Sequence, residues 1–383
     1  MRLLQRVTAV LGVLAVCGMT GCAGFWVAVN NSSSGGTTGN DYVYVADPNG
    51  SASAATLAGF AVGTGTLTAV TGSPYTLGYT PTSVAVNPAD TIVFVSGHIS
   101  TGIGVIYAYS IGGGGALSAL NNGLAVSTGA EEISMDVSPD GQWLFGLNAD
   151  NSTLDEYEIN SSTGQLNGPT YNTYTALVTG TINASQVKVA PNGDFVFAAL
   201  GTAGDMVYQL NTSNGVLTAL NPLPPITTTT SDNALAVSSG STYLYIARSG
   251  TNGGLAVYSI SSSGGLQEVT GSPLAAGTQP TSVVVNTAGT DIYVANQNSG
   301  TISQYGVVTS TGAVSLLSPP TVSAVSVPWA LAVDNSGDYL LSISEAGNPD
   351  LTMYGDSAGT LTFSTSTPTG NGVTGPVAMS ATH

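Results

Sequence analysis

Basic side chains are nearly absent from this sequence. Four Lys and Arg stand against 21 Asp and Glu in 383 residues, with two His, and the formal net charge is −17. A nucleic-acid binder neutralises phosphates with a basic surface, and this chain has none to offer. Charged residues of both signs reach only 7%, where about a quarter is usual. The surface must therefore be built from Thr, Ser, Asn and Gly. Cysteine is as scarce: Cys17 and Cys22, both near the N-terminus, exclude a disulfide scaffold. No long stretch of helical periodicity follows the first 22 residues. Hydrophobic residues are not lacking. They make up 42% of the chain and are spread evenly, which argues against a disordered acidic tail. The length allows one large or two ordinary domains with ample core.

The N-terminus reads as an export signal. Arg2 and Arg6 form a positive region, and Val7 to Val16 is an apolar run too short for a permanent spanning helix. Met19-Thr20-Gly21-Cys22 follows. Small residues before a Cys resemble the lipobox of bacterial lipoproteins, in which Cys22 would be lipidated and become residue one. Met19 departs from the usual Leu, and a plain secretory signal cleaved nearby is the alternative. On the lipoprotein reading residues 1–21 are the signal, and residues 22–40 are the lipidated Cys and a Gly/Ser/Asn-rich flexible tether. Stretched at about 3.3 Å per residue, the tether reaches roughly 60 Å. Removing the signal leaves Lys188 and Arg248 as the only bases against 21 acids, a balance of −19.

Residues 41–383 repeat one unit seven times. A short alternating strand, often opened by Pro, recurs with its central apolar residue at Val84, Met135, Val187, Leu235, Val283, Leu331 and Met379, in steps of 51, 52 and then four times 48 residues. An aromatic ladder keeps the same step at Phe60, Tyr109, Tyr157, Tyr208, Tyr258, Tyr305 and Tyr354. A glycine ladder follows it at Gly65, Gly115, Gly164, Gly215, Gly264, Gly312 and Gly359. Each unit reads as four strands. Strand A is the alternating run; a turn such as Ser138-Pro139-Asp140-Gly141 follows. Strand B is aromatic and β-branched, strand C carries the aromatic ladder, and a hairpin at the ladder glycine leads to strand D.

Four strands per step of about 48 residues describe a β-propeller blade, and seven A strands predict an all-β, seven-bladed propeller. A β-helix would repeat in shorter steps. The unit begins at strand B (Tyr42) and stops at strand A (Pro376 to Ser380). One blade must then be composite, with its innermost strand from the C-terminus, a closure that removes free edges.

The phrases Tyr42-Val43-Tyr44-Val45-Ala46, Asp291-Ile292-Tyr293-Val294-Ala295-Asn296 and Ser138-Pro139-Asp140-Gly141 resemble those of YVTN-type propellers and of the lactonase-family propellers, the 6-phosphogluconolactonase-like group. The resemblance spans roughly residues 41 to 383. These are strand and turn residues, so it speaks for fold more than for activity.

With strand A innermost, the B–C loops and the loops leading into each strand A meet on one face, whose central mouth is the natural ligand site. Strand order places there Arg248 at the end of a B strand, His98 in a B–C loop, and Glu131, Glu132 and Asp232 in loops that join blades. Asp47 and Glu345 open B–C loops, and Asn296 follows a B strand. Arg248, His98, Glu132 and Glu131 are the catalytic candidates; Asp47, Asp232, Glu345 and Asn296 are the ligand-binding ones. Each has a plainer reading: Arg248 as half of a structural ion pair, His98 as a solvated loop residue, Glu131-Glu132 as a turn cap. Lys188 faces the channel or bonds a neighbouring blade; His383 is expected to fray. Gly112-Gly113-Gly114-Gly115 is a hairpin turn, since no Lys-Ser/Thr and no helix follows it. No Gly-x-Ser-x-Gly elbow is present. Two His and no free Cys argue against zinc. No cofactor is expected, although carboxylates such as Asp150, Asp155 or Asp350 would suit Ca²⁺.

Two functions fit. The family resemblance implies a lactone hydrolase, with His98, Glu131 or Glu132 for proton transfer and Arg248 clamping the oxyanion. A mature charge of −19 repels a phosphorylated substrate, which leaves a neutral lactone. The other reading, favoured here, is a non-catalytic lipoprotein of the cell envelope, periplasmic or surface-exposed. It would be a monomer, held to the membrane by its lipid, that binds a glycan, a protein or a small molecule and no nucleic acid.

Overall fold

The computed structural model describes residues 41–100, 103–149, 153–173, 181–224, 227–325, 327–370 and 374–383. Residues 1–40, on which the signal, lipidation and tether readings rest, lie outside them, as does Asp150. The described chain forms seven antiparallel sheets, each ordered A-B-C-D from its inner strand outward. The inner strands are Ala378–Ala381 in blade 1, Thr80–Val86 in blade 2, Glu132–Val137 in blade 3, Gln186–Val189 in blade 4, Thr230–Val237 in blade 5, Pro280–Val285 in blade 6 and Pro328–Val333 in blade 7. Blade 1 is the composite: Ala378–Ala381 pairs with Tyr42–Asp47, which pairs with Thr56–Gly63 and then Thr66–Ala69.

Why the sequence repeats becomes clear from the seams between blades. The B strands are sandwiched between neighbours, so both of their faces are apolar; Tyr42–Asp47 is buried along its whole length. Alternate side chains feed alternate seams: Val43 and Val45 pack toward blade 7, Tyr44 and Ala46 toward blade 2. The aromatic ladder fills these seams, with Tyr157, Tyr305 and Tyr354 fully buried. The glycine ladder has two causes at once. All seven glycines have positive φ, from 66 to 79°, which L side chains rarely adopt. They also pack against the start of strand B in the preceding blade. A Cβ on Gly115 would lie 2.4 Å from the Tyr42 ring, and one on Gly215 would lie 2.5 Å from Trp143.

The inner edges of the sheets are satisfied by side chains. Ser83 Oγ accepts from the Met135 N–H (3.0 Å), Ser134 Oγ from Val187 (3.1 Å), Gln186 Oε1 from Leu235 (2.6 Å) and Ser282 Oγ from Leu331 (3.1 Å). Blade 1 joins in through Ser380 Oγ, which accepts from Val86 (3.3 Å). Short polar residues therefore recur on strand A because each must reach the backbone of the next blade. They surround a central channel of about 850 Å³.

Three expectations need adjusting. The strands run further toward the mouth than their apolar pattern suggests. His98 lies within strand B of blade 2 (Ile92–Ser100), and Asp232 within strand A of blade 5. The outer strand is split in places: Tyr75–Thr76 and Val126–Gly129 are extra segments paired with strand C. His383 is docked, since its N–H donates to Asp90 Oδ1 (2.9 Å) and Nδ1 lies 3.1 Å from the same oxygen.

Candidate functional site

Strand B ends at the mouth face, and its register fixes which residues stand there. The equivalent positions are Asp47, Gly97, Asn148, Leu200, Arg248, Asn296 and Ser344; five of them pair with the start of strand A, while Asp47 and Leu200 lie one residue beyond the paired register. In three blades the partner there is Pro81, Pro280 or Pro328, and Pro376 precedes strand A of blade 1. Blades 3 and 5 carry an acid instead, Glu132 opposite Asn148 and Asp232 opposite Arg248. The candidate residues are thus polar replacements in a repeating frame, and they fall into separate seams.

Between blades 2 and 3, His98 Nδ1 meets Glu131 Oε2 in a short contact. The pair is accessible, with 33% of the His side chain and 28% of the Glu side chain exposed. Chemically it is an imidazole oriented by a carboxylate, which suits proton transfer. Glu132, one residue on, points the other way. It is fully buried beside Gly146 and accepts a 2.7 Å hydrogen bond from the Tyr157 hydroxyl. Its carbonyl accepts from Ser96 Oγ and Thr82 Oγ1, both at 2.7 Å, so Glu132 fastens the seam beneath the dyad.

Between blades 4 and 5, Arg248 is 1% exposed. Its Nε lies 2.5 Å from Asp232 Oδ1 and its Nη2 3.0 Å from Oδ2, a bidentate pair. Nη2 also reaches the Tyr258 hydroxyl at 3.4 Å. Burial works against the charged guanidinium, but the hydrogen bonds and charge of Asp232 outweigh it and raise the Arg248 pKa. Arg248 is therefore a buried, paired cation closed off from solvent. Lys188, the other base, lines the channel with Nζ 3.3 Å from Asp136 Oδ1 in the neighbouring blade. Both of its sequence readings are realised together.

The ligand-binding candidates are mostly structural in their contacts. Asn296 is buried; its Oδ1 accepts from the Gly277 N–H (3.0 Å) and its Nδ2 donates to Ser303 Oγ (2.9 Å). Asp47 accepts from the Asn49 N–H (2.9 Å) and from Thr369 Oγ1 (3.2 Å); Asp350 accepts from the Thr369 N–H (2.7 Å). Burial raises the pKa of both Asp47 and Asp350. Asp155 lies with Asn148 Nδ2 at 3.4 Å. Glu345 is exposed and accepts from Gln297 Nε2 at 3.1 Å. Among the described residues no group of three His, Cys, Asp or Glu is placed to hold a metal ion.

The structure thus brings His98 together with Glu131, and Arg248 together with Asp232. It keeps these pairs in different seams, two blades apart. Sequence reasoning missed Asp205, a fully buried acid of blade 4 that faces Asp232 and Arg248 of blade 5. Aligning the seven C strands exposes it, because its position is Leu or Ile in every other blade.

Residues 205–334 match the family described as Lactonase, 7-bladed beta-propeller. That segment holds Asp205, Asp232 and Arg248 but not His98 or Glu131. No curated protein matches the chain. Among solved structures, a periplasmic gluconolactonase from Pseudomonas aeruginosa is similar at a TM-score of 0.70 and 17% identity, over 90% of this chain and 99% of that one. A candidate 6-phosphogluconolactonase from Bacteroides uniformis gives 0.71 and 16%, over 89% and 99%. A protein from Lactobacillus plantarum gives 0.71 and 15%, over 90% and 99%. At such identities the likeness is one of fold. The chain is a seven-bladed β-propeller that carries the sequence pattern of the lactonase propeller family over residues 205–334.

Proposed function

We propose that the protein is an exported, lipid-anchored propeller of the bacterial cell envelope whose mouth face is a binding platform. The observation that carries this reading is the fate of the two Lys and Arg side chains among the described residues. Arg248 is sealed against Asp232, and Lys188 is tied to Asp136 in the channel. Among the described residues no Lys or Arg is left free at the mouth to hold an anionic sugar lactone or to take up the charge of a tetrahedral intermediate. Export rests on Arg2, Arg6, the Val7 to Val16 run and Cys22. The fold likeness to the periplasmic gluconolactonase of Pseudomonas aeruginosa agrees with that address.

One observation favours a second reading. The His98–Glu131 dyad is accessible on the mouth face, and a neutral lactone needs less cationic help. Two measurements separate the readings. Membrane fractionation of cells producing the wild type and Cys22→Ser should show the protein in the membrane and the variant released from it. Purified protein tested on a panel of neutral lactones should show no turnover above buffer. Turnover that disappears in both His98→Ala and Glu131→Gln, with thermal stability kept, would replace the platform by the hydrolase.

A further inference from the structure

Strand C of blade 4 breaks the pattern of its six counterparts. At the position opposite the strand B residue that precedes the mouth position, the other blades carry Leu57, Ile106, Leu154, Leu255, Ile302 and Leu351. Blade 4 carries Asp205, opposite Ala199. The site is apolar core, and Asp205 is 0% exposed. Among the described residues no donor reaches either of its carboxyl oxygens, and its own N–H is committed to the Leu223 carbonyl at 3.0 Å.

The groups that face it come from blade 5. Strand A supplies Asp232, whose carboxylate is within hydrogen-bonding reach, and strand B supplies Arg248. Tyr258 of strand C stands behind Arg248. Nε and Nη2 of Arg248 are taken by the two oxygens of Asp232, and among the described residues Nη1 has no partner. An ionised Asp205 would therefore be a second anion in a dry seam with one cation. A buried charge without a partner neutralises instead of paying several kcal/mol for desolvation. A protonated carboxyl is a donor, and the acceptor beside it is Asp232. The group then sums to zero charge, and one of the two orphaned oxygens gains a partner.

We propose that Asp205 keeps its proton at neutral pH and donates it to Asp232, so that Asp205, Asp232 and Arg248 form a one-proton lock across the seam between blades 4 and 5. Burial, and then the negative charge of Asp232, push Asp205 well above the usual carboxylate range, while Arg248 pulls it down less strongly. The lock lies under the mouth face. The Asp232 N–H donates to Gly201 O (3.3 Å) in the loop that leaves strand B of blade 4. Loss of the proton sets two carboxylates side by side and loosens that loop from blade 5. The stabilisation is full below the pKa of an unfolded Asp, near 4, and is lost as pH rises through the folded value.

Asp205→Asn tests this, because an amide donates to Asp232 at every pH. Thermal unfolding of the full chain and the variant is followed from pH 5 to pH 9, together with the infrared C=O band of a protonated carboxyl. The expected result is a Tm difference in favour of the variant that widens by about 2–5 °C toward pH 9, and loss of one protonated-carboxyl band at pH 7. Asp205→Leu, the residue type of the other blades, should also flatten the profile and guards against a variant that fails to fold. Parallel Tm profiles for all three proteins, or an unchanged carboxyl band at pH 7, would overturn the lock.

Discussion

Tyr42 and Thr382 lie 340 residues apart and exchange hydrogen bonds: the Tyr42 N–H donates to Thr382 Oγ1 at 2.9 Å, and the Thr382 N–H donates to the Tyr42 carbonyl at 2.9 Å. This is the clasp of the ring. The last strand supplies the inner edge of blade 1, and Ser380 carries the contact on to blade 2. Removing Ala378–His383 takes away that edge and leaves Val43 and Val45 without their inner cover. The truncated chain is expected to lose more than 10 °C of Tm (about 5 kcal/mol or more at the scale of a large domain) and to become sensitive to protease. Thr382→Ala removes one side-chain partner and should cost about 1–2 kcal/mol. Urea unfolding of both variants measures the ratio; equal, small effects would mean that the ring does not depend on its clasp.

The acidity of the chain gives a pH dependence of definite sign. Glu156, 6% exposed on strand C of blade 3, is pushed up to about 7 by burial, with the Asn172 amide working the other way. Asp41 is raised to about 6 by burial and by the charges of Asp334 and Asp90. An acid whose folded pKa is raised holds its proton more tightly when folded. Its stabilisation is complete below the unfolded value, about 4, and is lost as pH climbs through 6 and 7. For Glu156 alone the linkage amounts to about 3 kcal/mol. The Tm should therefore be higher at pH 4.5 than at pH 8, and Glu156→Gln should remove the part of that fall lying between pH 4.5 and 7. A Tm that rises with pH across this window contradicts the burial argument.

How much of this was legible in the sequence follows from what repeats. The seven Pro-opened or polar-opened A strands, the aromatic ladder and Gly65 to Gly359 recur because every blade meets the same two neighbours, so periodicity reports packing directly. The composite blade was legible for the same reason: the repeat starts on strand B and ends on strand A. The candidate site is carried by residues that break the repeat, and there the reading was partial. Strand order put Arg248 at the mouth end of its strand, but not which way its guanidinium turns; that depends on Asp232 two strand positions from the apolar core and on Tyr258 in strand C. His98 and Glu131 are 33 residues apart and meet only because a B strand of one blade lies beside the start of the next. Asp205 was invisible as a lone acid, and stands out only when its strand is laid over the six that carry Leu or Ile.

The pair Arg248–Asp232 also separates two kinds of buried charge. Arg248→Met removes the cation and leaves Asp232 and Asp205 together in the seam. One of them must take up a further proton, and breaking a buried pair from this side costs about 3–5 kcal/mol. Asp232→Asn removes an anion instead, and Asp205, already beside Arg248, can ionise to replace it. The second variant should therefore lose clearly less stability than the first at pH 7. Its loss should also shrink with rising pH, as Asp205 gives up its proton more readily. Chemical denaturation of the two variants at pH 6 and pH 8 reads both statements. Should Asp232→Asn be as damaging as Arg248→Met at both values, Asp205 does not share the guanidinium, and the seam is held by one carboxylate alone.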